Sequence, residues 1–143
     1  MSIPALYSYL KRVCKEFLMN EWNSFWKNST TGKHTKENLP LENLDLLISN
    51  KNVIYLLTNH LPFPAYLCRF KILNNPDCLC GEHGDVDHYL TSCMYTKDYH
   101  LLQPAVAART HWTRKLCKNY SFLNRLKSIC EISRKICDDL LRL

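Results

Sequence analysis

Glycine is nearly absent from this chain of 143 residues, which holds only Gly32, Gly81 and Gly84. A loop that cradles phosphates through its backbone needs several glycines within a few positions, so nucleotide-binding loops of that kind are excluded. No Ser, His and Asp set stands in the setting of a nucleophile elbow. A two-metal nuclease needs several carboxylates converging on one site. Here the densest acidic group, Asp77, Glu82, Asp85 and Asp87, lies inside a cysteine-rich loop, where such residues would solvate the loop and shape the potential around its sulfurs. These absences argue against catalysis by this chain. No apolar run approaches the ~18 residues of a membrane span. The start, Met-Ser-Ile-Pro-Ala-Leu-Tyr, has no basic segment followed by an apolar one, so no secretory signal is expected. The expected setting is intracellular, nucleus or cytoplasm, and reducing, where cysteines serve as metal ligands before disulfides.

Cysteine, by contrast, is plentiful, with eight in the chain. Four candidate metal ligands fall between Pro76 and Cys93 in a C-x-C-x7-H-x4-C array: Cys78, Cys80, His88 and Cys93. Three thiolates and one imidazole complete a tetrahedral shell for one structural zinc ion, with no position open for water. Gly81 and Gly84 would let the chain fold tightly around the ion. His83 competes with His88 for the fourth place, but His88 has the better spacing before Cys93. Two other readings stay open at this point. The even number of cysteines allows a disulfide framework, although Cys78 and Cys80 are too close to bridge each other comfortably. The cluster could also be buried, inert thiols. Cys14, Cys68, Cys117, Cys130 and Cys137 read as core residues.

The net charge of +6 lies wholly in the last 40 residues, because residues 1–103 are neutral. A basic tail on a neutral body suggests an acidic partner, most simply nucleic acid, though a solvated helix face would look the same. The spacing predicts a mainly α fold: a small helical domain with an embedded zinc knuckle. Residues 3–27 read as an amphipathic helix capped by Ser2, with Pro4 in its first turn. Trp22 and Trp26, one turn apart, are expected to stack in the core. A short helix is expected within 34–50, with Leu41, Leu44, Leu47 and Ile48 at helical spacing. Residues 53–60 fit a strand or a helix. Residues 65–73 fit a short helix with Tyr66, Phe70 and Leu73 on one face.

Pro104 fits the first turn of a helix from Ala105 to about Lys118. This helix interleaves Arg109, Arg114, Lys115 and Lys118 with Trp112, as a surface that tracks phosphates and stacks on bases would. A plain surface helix with Trp112 buried is the alternative. Arg69 and Lys71 extend the basic candidates, and Tyr89 joins Trp112 as a candidate stacking residue. A final helix, about Phe122 to Leu141, carries the stripe Phe122, Leu126, Ile129, Ile136, Leu140 and Leu143, broken only at Ser133. Its rhythm suits packing against another helix, within the domain or in a partner, including a second copy of the chain. Glu131–Lys135 and Asp138–Arg142 are expected outer ion pairs.

Three segments taken together resemble one family. They are Leu57-Thr58-Asn59-His60-Leu61-Pro62-Phe63-Pro64-Ala65-Tyr66-Leu67-Cys68-Arg69-Phe70, then Cys78-Leu79-Cys80-Gly81, then His88-Tyr89-Leu90-Thr91-Ser92-Cys93. The set is similar to the carboxy-terminal region of the polyprotein of non-LTR retrotransposons, in particular the arthropod R1 and Jockey types. Asn59 and Leu61 stand where that family usually has glycines. The endonuclease, reverse transcriptase and ribonuclease H domains of the full polyprotein have no counterpart in these residues. The resemblance implies an organisation into 1–75, a helical linker like the segment after the ribonuclease H domain; 76–95, the zinc knuckle; and 96–143, basic helices. It implies an accessory module that binds RNA or single-stranded or target DNA, beside the reverse transcriptase domains of the same element. A helical protein-interaction module docking through its last helix is the alternative, and a remnant of a ribonuclease H enzyme a further one.

Overall fold

A computed structural model describes residues 2–39 and 50–143. The expected short helix with Leu41, Leu44, Leu47 and Ile48 lies outside the described residues. Among those described the architecture is helical and without strands: α1 (Ile3–Asn28), α2 (Lys33–Asn38), α3 (Lys51–Thr58), α4 (Pro64–Arg69), α5 (Val86–Thr91), α6 (Arg109–Lys118) and α7 (Tyr120–Leu141), with 3-10 turns at Met94–Tyr99 and Val106–Ala108. The mainly α expectation therefore holds.

The segment that fitted strand or helix is helical, and its cap shows why. Asn50 Oδ1 accepts from the backbone N–H of Asn52 and Val53, satisfying donors that a helix start leaves open. Val53, Leu56 and Leu57 then face inward while Ile54 faces out, a three-and-four spacing rather than an alternation. These side chains join Phe63, Tyr89, Leu90, Leu116, Leu126, Ile129 and Ile136 in one core. Phe63 and Tyr89 stack with centroids 5.9 Å apart. Burying each such side chain is worth about 1.5–3 kcal/mol relative to exposure.

The α7 stripe is taken up by the chain itself: Leu126, Ile129 and Ile136 are buried, and Phe122 and Leu140 pack on the core, while Leu143 is exposed. Ser133, the break in the stripe, is as buried as its neighbours, because its hydroxyl donates to the Pro62 carbonyl. Cys137 Sγ donates to the same oxygen at 3.2 Å. Asn119 caps α7 through the Phe122 N–H. The outer ion pairs differ from those expected: Lys127–Glu131 at 3.9 Å and Asp139–Arg142 at 3.8 Å form instead of Glu131–Lys135 and Asp138–Arg142. Long exposed side chains choose among several neighbours at nearly equal energy.

Three further expectations are corrected. The helix expected from Ala105 starts at Arg109, because Val106–Ala108 wind as a 3-10 turn closed by Ala108 N–H on the Ala105 carbonyl. Pro104 therefore precedes α6 rather than opening it. Cys14 is exposed, not core; Cys68 and Cys117 are half-buried, and Cys130 and Cys137 are buried. Finally, α1 has no buried residue, so Trp22 and Trp26 are not core tryptophans. Trp22 sits at 5.6 Å from Phe25 on the surface. Trp26 works locally: its indole N–H donates to the Leu39 carbonyl, and Lys36 Nζ lies 5.0 Å over the ring. Gly32 at φ 70° closes the turn over it, where a Cβ would come within 2.8 Å of the indole.

Candidate metal centre

The loop from Pro76 to Gly84 is a narrow hairpin, with Gly84 N–H on the Pro76 carbonyl, Cys78 N–H on Glu82 and Gly81 N–H on Cys78. Gly81 makes the turn at φ 94° with open space around it, a conformation that suits glycine. Gly84 is required for a different reason than the sequence suggested. A Cβ there would come within 3.0 Å of the Pro64 ring and 3.1 Å of the Pro76 carbonyl. The Gly84 carbonyl also accepts from Ala65 N–H, seating the hairpin on the start of α4.

α5 brings up the second half of the site. Asp85 caps it by accepting from His88 N–H at 2.9 Å, and Asn59 Oδ1 accepts from Val86 N–H at 2.9 Å. Cys78, Cys80, His88 and Cys93 then converge, with all four donor atoms within 4.8 Å of one another. Cys78 Sγ and Cys93 Sγ are 3.8 Å apart, and Cys80 Sγ and His88 Nε2 are 3.4 Å apart. The eight cysteines form no disulfide. His83 is exposed and lies outside the group, pairing its backbone with Asp77 in an isolated bridge.

The surroundings suit a cation. Glu82 Oε2 lies 3.2 Å from His88 Nδ1. With Nδ1–H donating to that carboxylate, Nε2 keeps its lone pair toward Cys80, the tautomer a metal ligand needs. Burial pushes the Cys93 thiol up to about 12 and raises Cys80 as well. These sulfurs therefore hold their protons until a cation displaces them, so loading releases protons. The Tyr89 hydroxyl is buried without a hydrogen-bond partner among the described residues, and its pKa is raised by burial and then by the neighbouring Cys78 sulfur. A thiolate at Cys78 would be an acceptor for that orphaned hydroxyl. The four residues can hold one metal ion and leave no further protein ligand to find.

The basic candidates are dispersed. Arg114, Lys115 and Lys118 are exposed on α6, whose Thr113 and Leu116 face the core. Arg69 and Lys71 are exposed beside the hairpin. Arg109 is engaged by Glu37 at 3.4 Å and by the Pro104 carbonyl at 3.3 Å. Trp112 is half-buried against the core. Tyr89 is 0% exposed and offers no face to a base, which corrects its assignment as a stacking residue.

Sequence reasoning missed the pair of His34 on α2 with Asp87 on α5, 3.5 Å apart. His34 Nδ1 also meets the Leu57 carbonyl at 2.9 Å. Burial alone would lower the His34 pKa, but Asp87 and that carbonyl raise it, and His34 in turn lowers Asp87. No local signal marks a pairing across 53 positions.

No family model and no solved structure matches the chain. A stretch of 96 residues is 28% identical to the "Retrovirus-related Pol polyprotein from type-1 retrotransposable element R1" of Bradysia coprophila. The match covers 64% of this chain and 10% of that polyprotein, so the chain corresponds to a small part of its relative. The resemblance read from the sequence is thus matched by a curated relative of the same R1 type. Among the described residues no helix is long and apolar enough to cross a membrane.

Proposed function

We propose, from the similarity to an R1-type Pol polyprotein, that this chain is a zinc-knuckle module that binds RNA or unpaired DNA and has no catalytic site of its own. The observation that carries the reading is the convergence of Cys78, Cys80, His88 and Cys93 inside a helical core. Thiolates about 2.3 Å from a tetrahedral zinc stand about 3.8 Å from one another, and a thiolate and an imidazole nitrogen about 3.5 Å. The observed separations of 3.8 and 3.4 Å fit these edges. Zinc here would be structural: four protein ligands close its shell, and its binding energy is folding energy. What it would fix is the hairpin, the start of α5 and, through Cys78 and Cys93, the core.

Nucleic-acid affinity would come from phosphate contacts by Arg114, Lys115 and Lys118, with Arg69 and Lys71 extending the surface. Native mass spectrometry of protein expressed in reducing conditions tests the metal: one zinc per chain, lost in a Cys80→Ser/His88→Ala variant, is expected. A metal-free, folded wild type would reduce the cysteines to core packing. Filter binding of RNA by an Arg114→Glu/Lys115→Glu variant tests the surface, with unchanged binding refuting it.

A second reading, a protein-interaction module docking on the polymerase domains or on a second copy, draws support from α1. Ile3, Leu6, Leu10, Phe17 and Phe25 are all exposed there. Sedimentation of the chain over a concentration series distinguishes self-association from a monomer.

A further inference from the structure

Away from the metal centre, a cavity of about 600 Å³ opens between the α1–α2 turn, the end of α3 and α4. Its size lies within the range of ~300–1,000 Å³ typical of small-ligand sites. Lys33 and Arg69 stand at its edge, and no Asp or Glu is among the described residues that line it. Neither cation is in an ion pair with a described residue. One wall is aromatic. The His60 and Tyr66 rings that line it lie 4.8 Å apart; Phe70, outside the lining, lies 4.8 Å from Tyr66 and 5.8 Å from the Arg69 guanidinium. Tyr66 is half-buried, so the ring is held by packing yet reachable from the cavity. Asn59, which also lines the cavity, is hydrogen-bonded to the start of α5.

Concavity, an aromatic ring and two cations without an ion-pair partner among the described residues together describe the chemistry of a nucleotide: a flat base and an anionic phosphate. We propose that this cavity takes one unpaired nucleotide of a single-stranded nucleic acid, with the base on Tyr66 and the phosphate between Arg69 and Lys33. A duplex keeps its bases stacked inside and has none to offer such a wall. The proposal rests on the nucleic-acid reading above but uses other residues than the α6 surface.

The test is fluorescence anisotropy with a labelled eight-residue oligothymidylate and with a hairpin duplex, on the zinc-loaded full chain. Arg69→Glu, at an exposed position, is expected to weaken single-strand binding about 10-fold or more and to lower the salt slope by about 0.7. Tyr66→Ala is expected to cost about 5- to 100-fold, and Tyr66→Phe to stay near wild type. Circular dichroism checks that each variant is folded. If Arg114→Glu/Lys115→Glu abolishes binding while Arg69→Glu and Tyr66→Ala leave it intact, the cavity assignment is overturned and the nucleic-acid reading survives. An NMR titration with uridine 5′-monophosphate separates the opposite case. Shifts confined to residues 30–35, 58–60 and 65–69 support the cavity even where no oligonucleotide binds, and their absence overturns it.

Discussion

Replacing Cys80 by serine separates metal binding from core packing. Cys78 and Cys93 are 4% and 0% exposed, and changing either would disturb the core directly. Cys80 is only half-buried, so exchanging its sulfur for oxygen costs about 0.5 kcal/mol or less in packing. It does remove one of four ligands. A metal that binds only the folded chain stabilises it by about 4 kcal/mol at a thousandfold excess over its Kd. For a domain of this size 1 kcal/mol moves Tm by about 3–5 °C, so zinc is expected to raise Tm by about 12–20 °C over the chelated protein. Thermal melts followed by circular dichroism, in reducing buffer with zinc or with chelator, read this directly. Cys80→Ser is expected to melt with the chelated wild type whether or not zinc is added. A wild type indifferent to chelator, or a variant with the full zinc shift, would refute the reasoning.

Gly84→Ala forces a Cβ against a proline ring and a carbonyl at 3.0–3.1 Å, and is expected to lower stability by about 1–3 kcal/mol in urea melts. Leu61 holds φ 27° and is 44% exposed. Leu61→Gly removes the clash of a Cβ with its own backbone, worth about 1–2 kcal/mol, against about 0.5–1 kcal/mol for the freer unfolded chain, and is expected to gain about 0.5–1 kcal/mol net, read as a raised urea midpoint at unchanged slope. The His34–Asp87 pair gives a pH window. The raised His34 pKa stabilises fully below about pH 6.5, and that contribution fades as pH rises through the folded value. The lowered Asp87 pKa stabilises above about pH 4, and that contribution fades as pH falls through its folded value. The difference in stability between wild type and Asp87→Asn, at saturating zinc, is expected to peak between those limits, and a flat difference would count against the pair.

What the sequence disclosed were features decided within a turn or two of chain. The capped start of α1, the α7 stripe and the donor spacing of the metal centre are all of this kind. What it concealed depends on where elements land. The amphipathic pattern of α1 reads the same whether or not a partner face exists, so the failure of Trp22 and Trp26 to enter the core was out of reach. Glu82, Asp85 and Asp87 were visible as an acidic group. Only the folded hairpin divides them among an imidazole at the centre, a helix cap and a histidine 53 positions away. Asn59 and Leu61, noted for replacing glycines, both take positive φ, of 56° and 27°. The backbone there keeps a shape that glycine suits although the residues do not. Asn59 tolerates that shape through a short polar side chain, whereas Leu61 has no such recourse.

The convergence of Ser133 and Cys137 on the Pro62 carbonyl bears on how this chain can be dissected. The helix that holds the loop in front of α4, α7, also packs against α6, whose outer face carries Arg114, Lys115 and Lys118. Charge and scaffold are therefore inseparable by deletion. A shortened chain lacking α7 would lose its fold, so a failure to bind nucleic acid would answer no question about the proposed contacts. Single reversals of sign on the outer face leave the Pro62 anchorage intact, and they are the operations through which this surface can be mapped.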